Sequence, residues 1–125
     1  MFFKSMTPDE VSFHRQERKQ LAATHGELLA EVSAALFRHD PIGINFEDNT
    51  DEYDPEAGTI LLRLWSNASD EEVRTIVHEE FCRWFDSEIA GPKEKYSAVA
   101  EEIMKIYERP EFKYLRSART TSQRP

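Results

Sequence analysis

His78-Glu79-Glu80-Phe81-Cys82 is the run whose residue types and spacing come nearest to a known catalytic pattern. It resembles the H-E-x-x-H zinc motif, in which two histidines one helical turn apart face the same ion, with Cys82 standing where the second His would be. A His and a Cys at i and i+4 can both ligate zinc, but a structural site needs four ligands and a catalytic one three plus water. The other histidines, His14, His25 and His39, are not spaced to complete such a set. His78 and Cys82 are therefore weak metal candidates, and the plainer reading has Cys82 packing as a small apolar residue with His78 at the edge of the core.

A second group lies between His39 and Glu56. His39, Asp40, Asp51, Glu52 and Asp54 are of the types that move protons, and Tyr53 is a proton donor. The stretch from Asn45 to Glu56 also offers oxygen ligands of the kind calcium and magnesium take. The helix-loop-helix calcium pattern does not fit it. Starting at Asn45 puts Thr50 where glycine must make the sharp turn, and starting at Asp48 puts Tyr53 there and Thr59 at the bidentate position. A solvated acidic loop, or a surface for something basic, fits these residues better. The candidate binding residues are then His39, Asp40, Asp48, Asp51, Glu52, Tyr53 and Asp54. No G-x-S-x-G elbow, phosphate-cradling loop or dinucleotide fingerprint is present, so no cofactor is called for. Trp65 and Trp84 fit a core, and either one at an edge would suit a partner anchor.

Helices must position these groups. Thr7-Pro8-Asp9-Glu10 combines a capping hydroxyl, proline at the first helical position and a glutamate three residues after the cap. Leu21, Leu28, Val32, Ala35 and Leu36 then recur at helical spacing up to His39, giving one long helix or two broken near Gly26. From His39 to Pro55 the pattern fails, and an ordered acidic loop is expected, pinned by Ile42, Ile44, Phe46 and Tyr53. Asp54-Pro55 opens a short second helix through Ile60 and Leu61, ending near Asn67, with Tyr53 as a hydrophobic staple before an Asp54 cap. Only Thr59 to Leu64 could pass as a strand. Ser69-Asp70-Glu71-Glu72 is a second capping box, leading into Val73, Ile76, Val77, Phe81, Trp84 and Phe85. Gly91-Pro92 separates a fourth helix, striped by Tyr96, Val99, Ala100, Ile103, Met104 and Tyr107 and ending before Pro110. The expectation is an all-α fold, a compact bundle of about four helices with the acidic loop between the first two.

Composition bounds the rest. The 125 residues hold 16 Lys and Arg against 24 Asp and Glu, a net charge of −8, with 39% hydrophobic residues and one cysteine. That suits a single domain with a core and no disulfide, assigned to residues 1–108, followed by a tail, 109–125, that is basic, has little to bury and is expected to be disordered. No apolar run approaches a membrane span, and the start lacks a secretory h-region, so a cytoplasmic protein is expected. An acidic body repels phosphate, which argues against nucleic acid.

Along His39-Asp40-Pro41-Ile42-Gly43-Ile44, Asp51-Glu52-Tyr53-Asp54, Ile60 and Val77-His78-Glu79-Glu80-Phe81, the chain resembles the YugE-like family of small bacterial proteins, a domain-of-unknown-function family. There a D-P-[IL]-G segment precedes an E-Y or F-Y element, a short helix with Ile or Val at its centre, and a helix ending in aromatics. The likeness spans residues 36 to 107. It implies a compact helical bundle of bacterial origin with no established activity. The long polar first helix and the basic tail depart from the family, so oligomeric state does not transfer. The leading expectation is an interaction module, of immunity or antidote type, docking a basic protein on the acidic surface from Glu47 to Glu56. The alternative is a metal-dependent or acid/base enzyme using the loop from His39 to Asp54. A homodimer through the polar first helix is a third option.

Overall fold

The computed structural model describes residues 7–43 and 53–112. Thr7 caps α1 (Pro8–His39) through the expected reciprocal pair: the Glu10 N–H donates to Thr7 Oγ1 at 3.2 Å and the Thr7 N–H to Glu10 Oε1 at 2.9 Å. The helix is continuous but kinked. His25, next to Gly26, leaves helical geometry at φ −132° and ψ 35°, and a glycine there weakens the helical preference that would resist the bend. Asp40 ends α1 in the left-handed conformation, as a residue before proline, barred from the α region, must leave the helix. Its N–H still reaches the Leu36 carbonyl at 2.8 Å, and Gly43, at φ +73°, closes the turn that follows.

The second helix differs from expectation at both ends. Tyr53, fully buried, occupies the N-cap position, so α2 (Asp54–Arg63) begins on Asp54 rather than being capped by it. Its C-terminus falls at Arg63, because Leu64 turns extended and its carbonyl accepts from the Tyr107 hydroxyl at 3.2 Å. Trp65 consequently leaves the helix and is half-buried. The strand-like composition of Thr59 to Leu64 is overridden by packing, and no strand occurs among the described residues.

Ser69 and Glu72 form the second capping box at the start of α3 (Asp70–Phe85). A one-turn helix, α4 (Ser87–Ala90), follows a corner at Asp86, whose φ of +79° is tolerated because its carboxylate caps the Ile89 N–H at 2.9 Å. A 3₁₀ turn at Lys93–Tyr96 leads into α5 (Ser97–Tyr107). The chain stays packed past the expected boundary at 108: Arg109 reaches Glu31 at 3.3 Å, and Phe112, in a 3₁₀ turn, is 2% exposed.

α2 and α5 each pack on both α1 and α3, so the two shorter helices bridge the two longer ones. The core lies between them, with Leu28, Ile60, Phe81, Trp84 and Ile103 at its centre. Burial of aliphatic and aromatic side chains on this scale is the dominant stabilising contribution. Among the described residues no helix is long and apolar enough to cross a membrane.

Candidate functional site

Four of the predicted binding residues flank the acidic segment, and each is engaged by a structural partner. His39 Nε2 donates to Glu102 Oε1 at 2.7 Å, and Arg38 binds the other oxygen of the same carboxylate. Asp40 accepts from the Tyr53 hydroxyl at 2.6 Å. Asp54 accepts from the Ser33 hydroxyl. These contacts staple the end of α1 to α5 and to the start of α2. Of the four, Asp40 and Tyr53 are brought together, and neither described concavity is lined by any of the four. Asp48, Asp51 and Glu52 lie outside the described residues.

Glu102 has a measurable signature. Its partial burial alone would raise its pKa, but hydrogen bonds from His39 and Arg38 and the Arg38 charge outweigh that and hold it below its usual 4.5. A carboxyl whose folded pKa is depressed contributes stability that is present above the unfolded value and lost as pH falls through the folded one. The melting temperature of the wild type should therefore exceed that of Glu102→Gln at neutral pH and converge on it below pH 4.5. A gap that stays constant into acid would show that the charge pair contributes nothing.

His78 and Cys82 do face each other, with Cys82 Sγ at 3.5 Å from His78 Nε2. That nitrogen is also 2.9 Å from the Gly91 carbonyl, to which it donates, so the imidazole fastens α3 to the turn before α5. The ring lies beside Tyr96, whose hydroxyl donates to the Ala90 carbonyl at 2.5 Å. Burial raises the Cys82 pKa, and the nearby Glu79 and Asp86 charges raise it further. A thiol kept protonated is a poor ligand and a poor nucleophile. No group of three or more His, Cys, Asp or Glu side chains suited to a metal occurs among the described residues. Cys82 should react with iodoacetamide more slowly in the folded protein than in urea, compared at one pH; equal rates would contradict its shielding.

The concavity with an apolar floor lies elsewhere, between the end of α2 and the exposed face of α3. Leu62 and Trp65 from one side and Ile76 from the other line a groove of about 470 Å³, with Arg63, Glu72, Thr75 and Glu79 around it. Residues 72, 75, 76 and 79 share one helical face by their spacing, so α3 presents two carboxylates about two turns apart beside an isoleucine. Arg63 is held at the rim: its guanidinium donates to Glu79 at 2.7 Å and to the buried Glu80 at 2.9 Å. Arg83 donates to Glu80 from the other side at 3.0 and 3.1 Å, and also to His14 Nε2 at 3.3 Å. His14 in turn donates through Nδ1 to Glu17 at 2.7 Å. This relay of charges ties α1, α3 and α2 together beneath the groove. Its geometry suits an extended basic segment: an apolar side chain against Trp65, cations against Glu72 and Glu79. Trp65 still packs against the core, as its apolar spacing implies, but with the helix ending at Arg63 it is only partly buried and also lines the groove.

A smaller concavity of about 240 Å³ sits at the α1 kink, lined by Thr24, His25, Gly26, Glu27, Glu111 and Phe112. It is mostly polar and has no apolar floor beyond Phe112. No family model matches this chain, and neither a curated protein nor a solved structure does.

Proposed function

We propose that the chain is a protein-interaction module that binds a basic protein partner, with the α2–α3 groove and the acidic residues from Glu47 to Glu52 as the docking surface; Glu56, expected to belong to that surface, is fully buried in α2, where it is closed to a partner. The observation that carries this reading is the groove itself: Leu62, Trp65 and Ile76 give it an apolar floor, and Glu72 and Glu79 give it an acidic wall. Tryptophan is among the residue types enriched at interface hot spots, and the excess of 24 acidic over 16 basic residues steers a cation toward the chain. A bacterial, cytoplasmic immunity or antidote protein covering a cationic nuclease is the concrete form; membership of the YugE-like family, and separately an ordered acidic loop between α1 and α2, belong to the same proposal.

Native mass spectrometry of the tagged protein isolated from its own cells at low salt tests it. A basic partner should be retained at roughly 50 mM salt and released toward about 500 mM, where the Debye length shrinks to a few Å. Trp65→Ala should weaken retention by about 30-fold or more, the equivalent of a 2 kcal/mol hot spot. A partner held equally at both salts, or indifferent to Trp65, would overturn the reading.

A further inference from the structure

We propose that residues 113–125 of this chain are the groove's own ligand in the free protein, folding back over Trp65 until a basic partner displaces them. This rests on reading the α2–α3 groove as the binding surface. Three observations carry it. Residues 113–125 contain Lys113, Arg116, Arg119 and Arg124 and no acidic residue, leaving 12 basic against 24 acidic on residues 1–112, so the two parts of one chain are electrostatic complements.

The point of departure is well placed. Tyr107 donates to the Leu64 carbonyl at 3.2 Å and Glu108 accepts from the Asn67 N–H at 3.0 Å, so the end of α5 is fastened to the connector that carries Trp65. Phe112, five residues on, is at most about 18 Å of chain from that anchor, and the 13 residues beyond it extend to about 43 Å. That covers the groove with length to spare.

The spacing also corresponds. Glu72 and Glu79 are seven residues apart on α3, about 10.5 Å along the helix axis. Arg116 and Arg119 are three residues apart, which in a polyproline II segment, with three residues per turn, puts both on one face about 9 Å apart. Tyr114 and Leu115 directly precede them and are the apolar side chains available to cover Trp65, Leu62 and Ile76. A covalently linked ligand acts at an effective concentration in the millimolar range, so even weak contacts of this kind fill the site.

The test uses the full chain, ¹⁵N-labelled, as wild type and as the double variant Arg116→Glu/Arg119→Glu, with a synthetic peptide of residues 113–125 as probe. The Trp65 indole N–H signal, assigned through Trp65→Phe, should move in the wild type between roughly 20 and 500 mM salt and stay still in the variant. The Trp84 indole, held by Thr59 at 3.0 Å inside the core, reports that the fold is unchanged. The peptide should bind the variant about tenfold more tightly than the wild type, whose groove is already filled. Glu72→Gln/Glu79→Gln in the variant background, where an amide oxygen replaces the carboxylate that accepts from the Ser69 N–H, should abolish that binding. Equal binding to wild type and variant, lost on the glutamine changes, would overturn the fold-back while leaving the groove a basic-segment site. Binding to neither would overturn it too, and partner retention would still decide the function. A salt response that grows with protein concentration would assign the tail to a second copy and overturn the intrachain form.

Discussion

Replacing Phe81 with alanine should cost about 3–5 kcal/mol and lower the melting temperature by roughly 10–20 °C. Phe81 is fully buried on α3, its ring 5.8 Å from Tyr53, 5.8 Å from Phe85 and 5.2 Å from Tyr96. It thus joins the start of α2, the end of α3 and the 3₁₀ turn before α5. Deleting the ring removes its transfer free energy and leaves a cavity lined by three aromatics that are themselves buried and have little room to collapse inward. Against a total stability of about 5–15 kcal/mol, this is among the most damaging single changes open to the chain. Phe81→Leu, which keeps most of the volume, should cost about 1.5 kcal/mol at most. Urea unfolding followed by far-ultraviolet circular dichroism measures both. A Phe81→Ala loss below about 1 kcal/mol would mean that the site repacks and that the ring cluster is not the centre of the core.

The same residue connects stability to the segment beside the candidate loop. Tyr53 holds Asp40 through its hydroxyl, so the ring that rests on Phe81 also fixes where the chain leaves α1 and enters α2. Because Tyr53 and Phe81 are in contact, Tyr53→Phe and Phe81→Ala should be non-additive, with a coupling of about 0.5 kcal/mol or more. Strict additivity would separate the two.

What the sequence made legible followed from local physics. Both capping boxes, at Thr7 and Ser69, require only residues within one turn, and both stand where spacing put them. The apolar stripe of α3 is buried throughout, since a 3.6-residue period needs no knowledge of the partner helix. Misreadings arose where distant residues decide. Asp54 has the neighbours of a cap, but its carboxylate accepts from Ser33, 21 positions earlier, and Tyr53 takes the N-cap instead. The end of α2 was misplaced because Leu64 is drawn out by Tyr107, 43 positions away. Around the candidate site distant residues decide as well. Asp40, His39 and Tyr53 are of the right types for proton transfer, yet each is committed to a contact between elements that no local pattern announces. The groove was legible only as Trp65 at an edge, because its two walls come from different helices.

Glu80→Ala should cost about 2–4 kcal/mol even though it removes a single polar side chain. Glu80 is 1% exposed and accepts from Arg63 on α2 and from Arg83 on its own helix, while Arg83 also reaches His14 on α1. Charge-assisted hydrogen bonds contribute about 1.5–3 kcal/mol each when one partner is buried. The two arginines are 38% and 46% exposed, so water recovers part of the loss and the upper end of the buried-pair range is not reached. Glu80→Gln keeps the volume and one acceptor, and should cost about half as much. The same change reaches the groove. With Glu80 neutral, Arg63 is left to Glu79 alone, which cancels more of that carboxylate's charge at the wall where a basic segment would lie. In the Arg116→Glu/Arg119→Glu background, where the tail does not compete, a basic peptide should therefore bind more weakly and with a smaller salt dependence when Glu80→Gln is added, while Asp9→Asn, on the first turn of α1, should leave both unchanged. If Glu80→Gln is destabilising yet leaves peptide binding in that background as tight as before, the relay of arginines serves the fold alone and the acidic wall of the groove does not depend on it.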